Sequence, residues 1–336
     1  EMRRSVVADA GEDAETAWRS MIERPIGEAI TTRVGNDLVR GVIATDALIG
    51  TFAHVGDETL AQNVCFLYHL LGGGAGDWDV PIGGMGAVSG ALATAATGFG
   101  AEIMTGADVY AIEPDGEVRY RRRGAEYRVG ADRVLANVTP AVLSRLLGEV
   151  EPELAPGAQV KVNLMLRRLP RLNDETVTSE QAFGGTFHIN ETFNQLETAY
   201  RQAANGAVPE PLPCEIYCHS LADPTILSDS LRATGAQTLT VFGLHTPHSL
   251  VTSGTPEKIR DTLTSAVLTS LNSVLAEPVQ ECLMTDSSGR LCIETKTTFD
   301  LEDSLGMTNG NIFHGALTWP FAEDDAPLAT SAQRWG

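Results

Sequence analysis

The chain has 336 residues, of which 43% are hydrophobic and 20% charged, with 33 Gly and 16 Pro. That composition excludes disordered, collagenous and coiled-coil chains and leaves a globular protein long enough for about two domains. Twenty-four Lys and Arg against 44 Asp and Glu give a net charge of −20. Such a field disfavours nucleic acid and anionic membrane surfaces as partners.

The cationic residues are 21 Arg and only three Lys, at 161, 258 and 296. The five cysteines (Cys65, Cys214, Cys218, Cys282, Cys292) are odd in number and widely spread, with neither a C-x-x-C nor a Cys/His spacing of a zinc site. They read as reduced thiols of a cytoplasmic protein without a bound metal. No run approaches the length of a spanning helix, so no transmembrane segment is expected.

Helical spacing runs through residues 1–80, in Trp18, Ile22, Ile26 and Ile30, then Leu38, Val42 and Ile43, then Leu60, Val64, Leu67 and Leu71. Three helices are expected, the last ended by Gly72-Gly73-Gly74-Ala75-Gly76. Pro81-Ile82-Gly83-Gly84-Met85-Gly86 then feeds a helix with Val88, Ala91, Leu92, Ala95 and Phe99 on one face. β-branched runs near Ile103, Val109–Ile112, Val118–Arg122 and Tyr127–Val129 predict a strand and a meander. Val134-Leu135-Ala136 predicts a short strand, and Thr139-Pro140 the capped start of a helix.

Val160, Val162, Leu164 and Leu166 alternate with Lys161, Asn163 and Met165, which predicts a strand with one apolar and one polar face. Further strands are expected near 184–189, 214–219 and 238–244. Helices are expected near 191–204 and 256–275, with acidic residues in their first turns.

Two distant segments together point to a family. Gly83-Gly84-Met85-Gly86-Ala87-Val88, followed by Gly100-Ala101-Glu102-Ile103-Met104-Thr105-Gly106-Ala107-Asp108-Val109, resembles the GGMGAL and GAEI-TGA-V segments of phytoene-dehydrogenase-like flavoproteins. Val134 to Pro140 is similar to their VVSNADP segment, and Asp300-Leu301-Glu302 with Asn309-Gly310-Asn311-Ile312-Phe313-His314-Gly315 to their DLE and GGNIFHG segments. The order is most similar to the branch containing pyridine nucleotide-disulfide oxidoreductase domain-containing protein 2.

The resemblance implies an α/β chain with a partial FAD/NAD(P)-binding, glutathione-reductase-like fold, a mixed-sheet substrate domain and a helical N-terminal part. Residues 1–80 would be the helical part of the substrate domain and 81–150 a remnant of the FAD-binding domain with its meander. Residues 151–300 would complete the substrate domain, and 301–336 would return toward the FAD-binding domain. The family's initial G-x-G-x-x-G turn and its last flavin segment have no counterpart, so the chain is expected to be an internal piece of a longer flavoprotein. Its partners would then be an apolar small-molecule substrate and a chain supplying the FAD-binding unit.

The resemblance also assigns residues, each with an alternative. Gly83, Gly84 and Met85 would approach the flavin, or else simply open a helix. Val109 would present backbone to the adenine end of FAD, or be an ordinary strand residue. Asn137 would face the nucleotide or cap the next helix. Gly157 to Pro170, with Lys161 between them, is similar to the G…K…P strand of amine-oxidase-type flavoproteins, which implies that Lys161 would reach flavin N5 through a water, or else lie on a solvated strand. Gly310, Asn311 and His314 would contact flavin or substrate, with His314 and Lys161 closest to the chemistry, or serve as turn and core residues. The implied activity is hydride transfer from an apolar or conjugated substrate to FAD, and the competing one a non-catalytic substrate- or partner-binding module. His245-Thr246-Pro247-His248 reads as a loop, and Arg119, Arg121, Arg122, Arg123 and Arg128 as a solvated sheet edge.

Overall fold

A computed structural model describes residues 13–70, 80–252 and 254–319. The glycine run at 72–76 lies outside them. The architecture is mixed α/β, with two sheets and helices between and around them.

The larger sheet has the order β5-β6-β7-β4-β8, formed by β4 (Gln159–Leu166), β5 (Phe187–Ile189), β6 (Cys214–Tyr217), β7 (Gln237–Leu244) and β8 (Ile293–Lys296). Every neighbouring pair is antiparallel. An antiparallel sheet with one greasy face needs one covering layer, and the helix Pro256–Asn272 provides it. Proline stands in its first turn, and Leu263, Val267 and Leu271 are buried against Val160, Val162, Leu164, Ile216, Leu239 and Val241. Leu263→Ala is expected to cost about 2–5 kcal/mol in urea unfolding, the range for a fully enclosed leucine left as a cavity. A cost below about 1 kcal/mol would show that this layer contributes little.

A second core joins the helices Ile26–Arg33, Asp37–Thr45 and Ala61–Leu70 to the helix Phe193–Ala204, through Ile26, Ile30, Ala44, Leu48, Phe66 and Leu196. The periodicity from Trp18 to Ile30 runs across a break at Pro25, because a proline cannot donate to the preceding turn. Asn63 mends the break. Its Oδ1 accepts from Ile26 N at 2.9 Å, and its Nδ2 donates to Met21 O and Arg24 O at 2.8 and 2.7 Å.

The smaller sheet is the expected meander, β1 (Asp108–Ile112), β2 (Glu117–Arg122) and β3 (Ala125–Gly130), bulged between Val109 and Ala111. Three of its arginines are ion-paired on the surface, Arg119 with Glu113 and Glu117, Arg121 with Glu126, and Arg128 with Glu117. Two expectations fail here. Ile103 is not in a strand, and Val134-Leu135-Ala136 forms none either, because no neighbouring strand offers it a ladder. The helix after Gly83 does form, from Gly84 to Gly98, but none of its residues is buried. The face marked by Val88, Leu92 and Phe99 therefore has no core to enter within the described residues.

The structure also holds elements the periodicity did not give: β8 and the helix Thr298–Leu305, which opens on a capping box of Thr297 and Asp300. Glu191, expected inside a helix, precedes the cap Thr192 and turns into the core.

Candidate active site on the polar face of the sheet

Residues opposite one another on neighbouring strands project to the same side of a sheet. The ladder therefore lines up His188, Glu215, Phe242, Lys161 and Lys296 across all five strands at one level. At the next level stand Tyr217, Thr240, Asn163 and Glu294. This is the polar side of β4, where Lys161, Asn163 and Met165 are half-buried while Val160, Val162, Leu164 and Leu166 are buried on the other.

Asn163 ties its level together, donating to Glu294 and accepting from the Thr240 hydroxyl, each at 3.2 Å. Lys296 is neutralised by Glu294 at 3.3 Å. Lys161 has no such carboxylate among the described residues, and its ammonium lies 5.6 Å from the centre of the Phe242 ring. Beyond Tyr217, the His219 ring stacks in parallel on the phenol at 5.7 Å. Burial and the Lys161 charge both hold the His219 imidazole below its ordinary value.

Toward β5 the face becomes a buried acid cluster. Glu191 pairs with His188 and accepts from the Thr45 hydroxyl at 3.2 Å, which links the sheet to the helix Asp37–Thr45. Burial pushes the Glu191 carboxyl up, and the same pairing raises His188 against its own burial. Burial likewise pushes Glu215 up to about 7, although the Tyr217 hydroxyl donates to it. Glu191 Oε1 and Glu215 Oε2 have no partner among the described residues. Neither residue was singled out by motif or spacing. Glu215 alternates with apolar neighbours in Cys-Glu-Ile-Tyr as His188 does in Phe-His-Ile, but only the β5–β6 register sets them side by side.

At the foot of β4 the predicted turn packs tightly. Gly310 has φ +62°, and a Cβ there would stand 2.3 Å from Thr298 Cα. Gln159 Nε2 donates to Gly310 O at 3.2 Å. Asn311 is buried, its Nδ2 donating to Ala155 O and its Oδ1 accepting from Phe313 N, so the amide is occupied in holding the loop before β4. His314 is exposed just beyond, also with positive φ.

The Gly83-Gly84 turn lies elsewhere. Both glycines are left-handed, at φ +83° and +72°, as a helix opening this abruptly requires. Gly83 N donates to Asp223 Oδ2 at 2.6 Å, so a carboxylate already stands at the N-terminus of the helix 84–98. Met85 is exposed on its first turn. Val109 lies on β1. Asn137 lines an open groove of about 810 Å³ with Glu113, Gly116, Leu135, Leu143 and Leu147. The cap of the helix Pro140–Leu146 is Thr139 itself, which leaves Asn137 facing that groove.

The loop expected at 245–248 does form, from the end of β7 at Leu244 to a short helix that opens at His248, but it is buried. His245 is wholly buried among Phe52 and Tyr200, with φ +55° and no partner for either ring nitrogen among the described residues. Burial holds its imidazole down at about 3. His248 is bonded to the Thr298 hydroxyl at 3.1 Å. All five cysteines are free, and burial pushes the Cys65 thiol up to about 12. Among the described residues no group of three His, Cys, Asp or Glu is placed to hold a metal ion, and no helix is long and apolar enough to cross a membrane.

The described residues fit a dinucleotide cofactor only in part. An unpaired half-buried ammonium beside an aromatic ring suits the edge of a flavin, and the open groove suits an adenosine end. They offer no cradle of free backbone N–H groups for a pyrophosphate, since the one helix opening on a glycine turn is taken by Asp223.

No family model matches the chain. Uncharacterized proteins of Mycobacterium tuberculosis and Mycobacterium bovis are 63% identical to it over 337 residues, covering 99% of the chain and 63% of their own length. Pyridine nucleotide-disulfide oxidoreductase domain-containing protein 2 of Rattus norvegicus is 28% identical over 332 residues, covering 90% of the chain and 53% of that protein. Among solved structures, a putrescine oxidase double mutant superposes with a TM-score of 0.43 at 16% identity, covering 88% of the chain and 61% of that protein. Cyclohexylamine oxidase from Brevibacterium oxydans gives 0.39 at 13% identity, over 85% of the chain and 55% of that protein. Structural overlaps this partial decide nothing about chemistry. The chain is a distant homologue of proteins named for an oxidoreductase domain, and it spans less than two thirds of the curated relatives it matches.

Proposed function

We propose that the chain is the substrate-binding part of an FAD-dependent oxidoreductase of dehydrogenase type, which takes hydride from an apolar or conjugated substrate. The observation that carries this is Lys161, standing without a carboxylate partner among the described residues at the centre of a half-buried polar sheet face beside Phe242. The resemblance gives that lysine to flavin N5, and the sequence relationship to an oxidoreductase-domain protein supports it.

FAD, when bound, accepts the hydride. The chain's own residues then position and insulate: Lys161 holds positive charge where negative charge develops, and Phe242 and Met165 offer apolar contact to the substrate. His314 would contact substrate from its exposed turn, which Gly310 and Asn311 shape. Gly83, Gly84 and Met85 would meet the flavin edge, and Val109 and Asn137 the adenine end along the groove. Residues 1–80 and 151–300 would form the substrate domain, with 81–150 and 301–336 belonging to the FAD side. The pyrophosphate donors would come from a unit outside these residues. A second reading, a binding module without cofactor, is favoured by the Asp223 carboxylate at the helix 84–98.

Visible absorption tests the proposal. The mycobacterial relative, purified whole, should carry about one flavin per chain absorbing near ~450 nm, and this chain with excess FAD less than about a tenth of that. A colourless relative would overturn the flavin assignment. Full retention by this chain would place the entire site within it.

A further inference from the structure

Residues 80–138 hold a helix and a three-stranded sheet, yet not one of them is buried. Helices and sheets are held by the layer they pack on, so the layer that holds these lies outside them. The helix 84–98 is the clearest case. Met85, Leu92 and nearby Phe99 are 70%, 67% and 94% exposed. Residues 80–101 contain no charged side chain, in a chain of net charge −20. Gly86, Gly90 and Gly98 lie on one row of the helix, and a Cβ built on any of them meets nothing within 4 Å. Glycine inside a helix weakens it relative to alanine, and no contact within the chain calls for it here. A row of glycines does let a second backbone come close.

We propose that this face is a docking surface for the polypeptide that the mycobacterial relatives carry outside the stretch matching this chain. The match covers 99% of the chain and only 63% of those proteins, so it runs through the bare helix and leaves a large unmatched part to cover it. A second copy of this chain fits less well, because two bodies of charge −20 repel. A membrane fits less well too, since large apolar side chains are few on the helix and no described helix is long and apolar enough to cross one. That the docked unit also binds the dinucleotide rests on the function proposed above; the docking itself does not.

The test has two parts. In the whole mycobacterial relative, the amides matching residues 84–98 should exchange with deuterium at least about 100-fold more slowly than in this chain. Equal rates would overturn the proposal. When this chain is co-expressed with the relative's unmatched polypeptide and captured by a tag, the two should co-purify one to one. G90A should keep the complex, and G90L should reduce recovery at least about tenfold while leaving the melting of this chain alone unchanged. Co-purification indifferent to G90L would overturn the proposal, as would a homodimer of this chain by light scattering or its flotation with phosphatidylcholine vesicles. A complex that forms but binds no flavin leaves the docking standing and removes the flavin assignment. A flavin-bearing relative whose amides are unprotected does the reverse.

Discussion

Urea unfolding of the chain followed from pH 8 down to pH 3.5 is expected to lose stability through His245, most steeply on the acid side of about 4.5. The imidazole titrates at about 3 in the folded protein, because it is wholly buried, and near ~6.5 when unfolded. Between those values the unfolded chain binds a proton that the folded chain refuses. The contribution is therefore fully present above the unfolded value and lost as pH falls, by roughly 4 kcal/mol at most over the whole interval. Glu215 works the other way. Its carboxyl is raised to about 7, so it stabilises fully below the ordinary carboxylate range and loses that contribution as pH rises through 7. The two oppose each other between about 4.5 and 6.5, so the parent shows less slope there than either group alone. His245→Phe keeps a ring against Phe52 and Tyr200 and removes the acid-side loss, while E215Q removes the opposing slope. A variant H245F whose profile matched the parent would show that this histidine is solvated or partnered in solution.

G41A should lower the unfolding free energy by about 3 kcal/mol or more, despite replacing the poorest ordinary helix former with the best. Helix propensity alone predicts a gain of about 1 kcal/mol. Packing decides otherwise: a Cβ on Gly41 would stand 1.7 Å from Glu191 O and 2.8 Å from Phe193 N, both backbone atoms. The helix 37–45 would have to lift from the segment 191–193, parting the Thr45–Glu191 hydrogen bond and loosening Ala44 and Leu48 beside it. Overpacking against backbone has no rotamer escape. Gly35→Ala is the control, since a Cβ there meets nothing within 4 Å. Equal stability of the two variants would show that the helix can shift at little cost.

Local pattern carried much of the fold. The alternation in β4 reported both faces of a central strand, and Thr139-Pro140 marked a helix start that the structure caps as expected. What sequence could not report was burial that depends on other elements. Val88, Leu92 and Phe99 have the spacing of a core face, and the helix forms, but spacing does not say whether a covering layer exists. Val134-Leu135-Ala136 has strand composition without a partner strand. His245 follows an apolar strand and precedes Thr-Pro, which reads as a turn; only Phe52 and Tyr200, far away in the chain, close over it. The site was half legible for the same reason. Lys161 stood out as one of three lysines on a clear strand, whereas Phe242, Glu215 and His188 join it only through ladder register.

The two-sidedness of the central strand separates two kinds of selection. Along β4 the even-numbered positions from 160 to 166 face the helix 256–272 and the odd-numbered ones from 161 to 165 face the site. A lineage can therefore exchange the odd positions to suit a new ligand while the even ones keep the protein folded, with no residue asked to serve both ends. Any ligand specificity that the proposed site carries is free to drift without eroding the foundation beneath it.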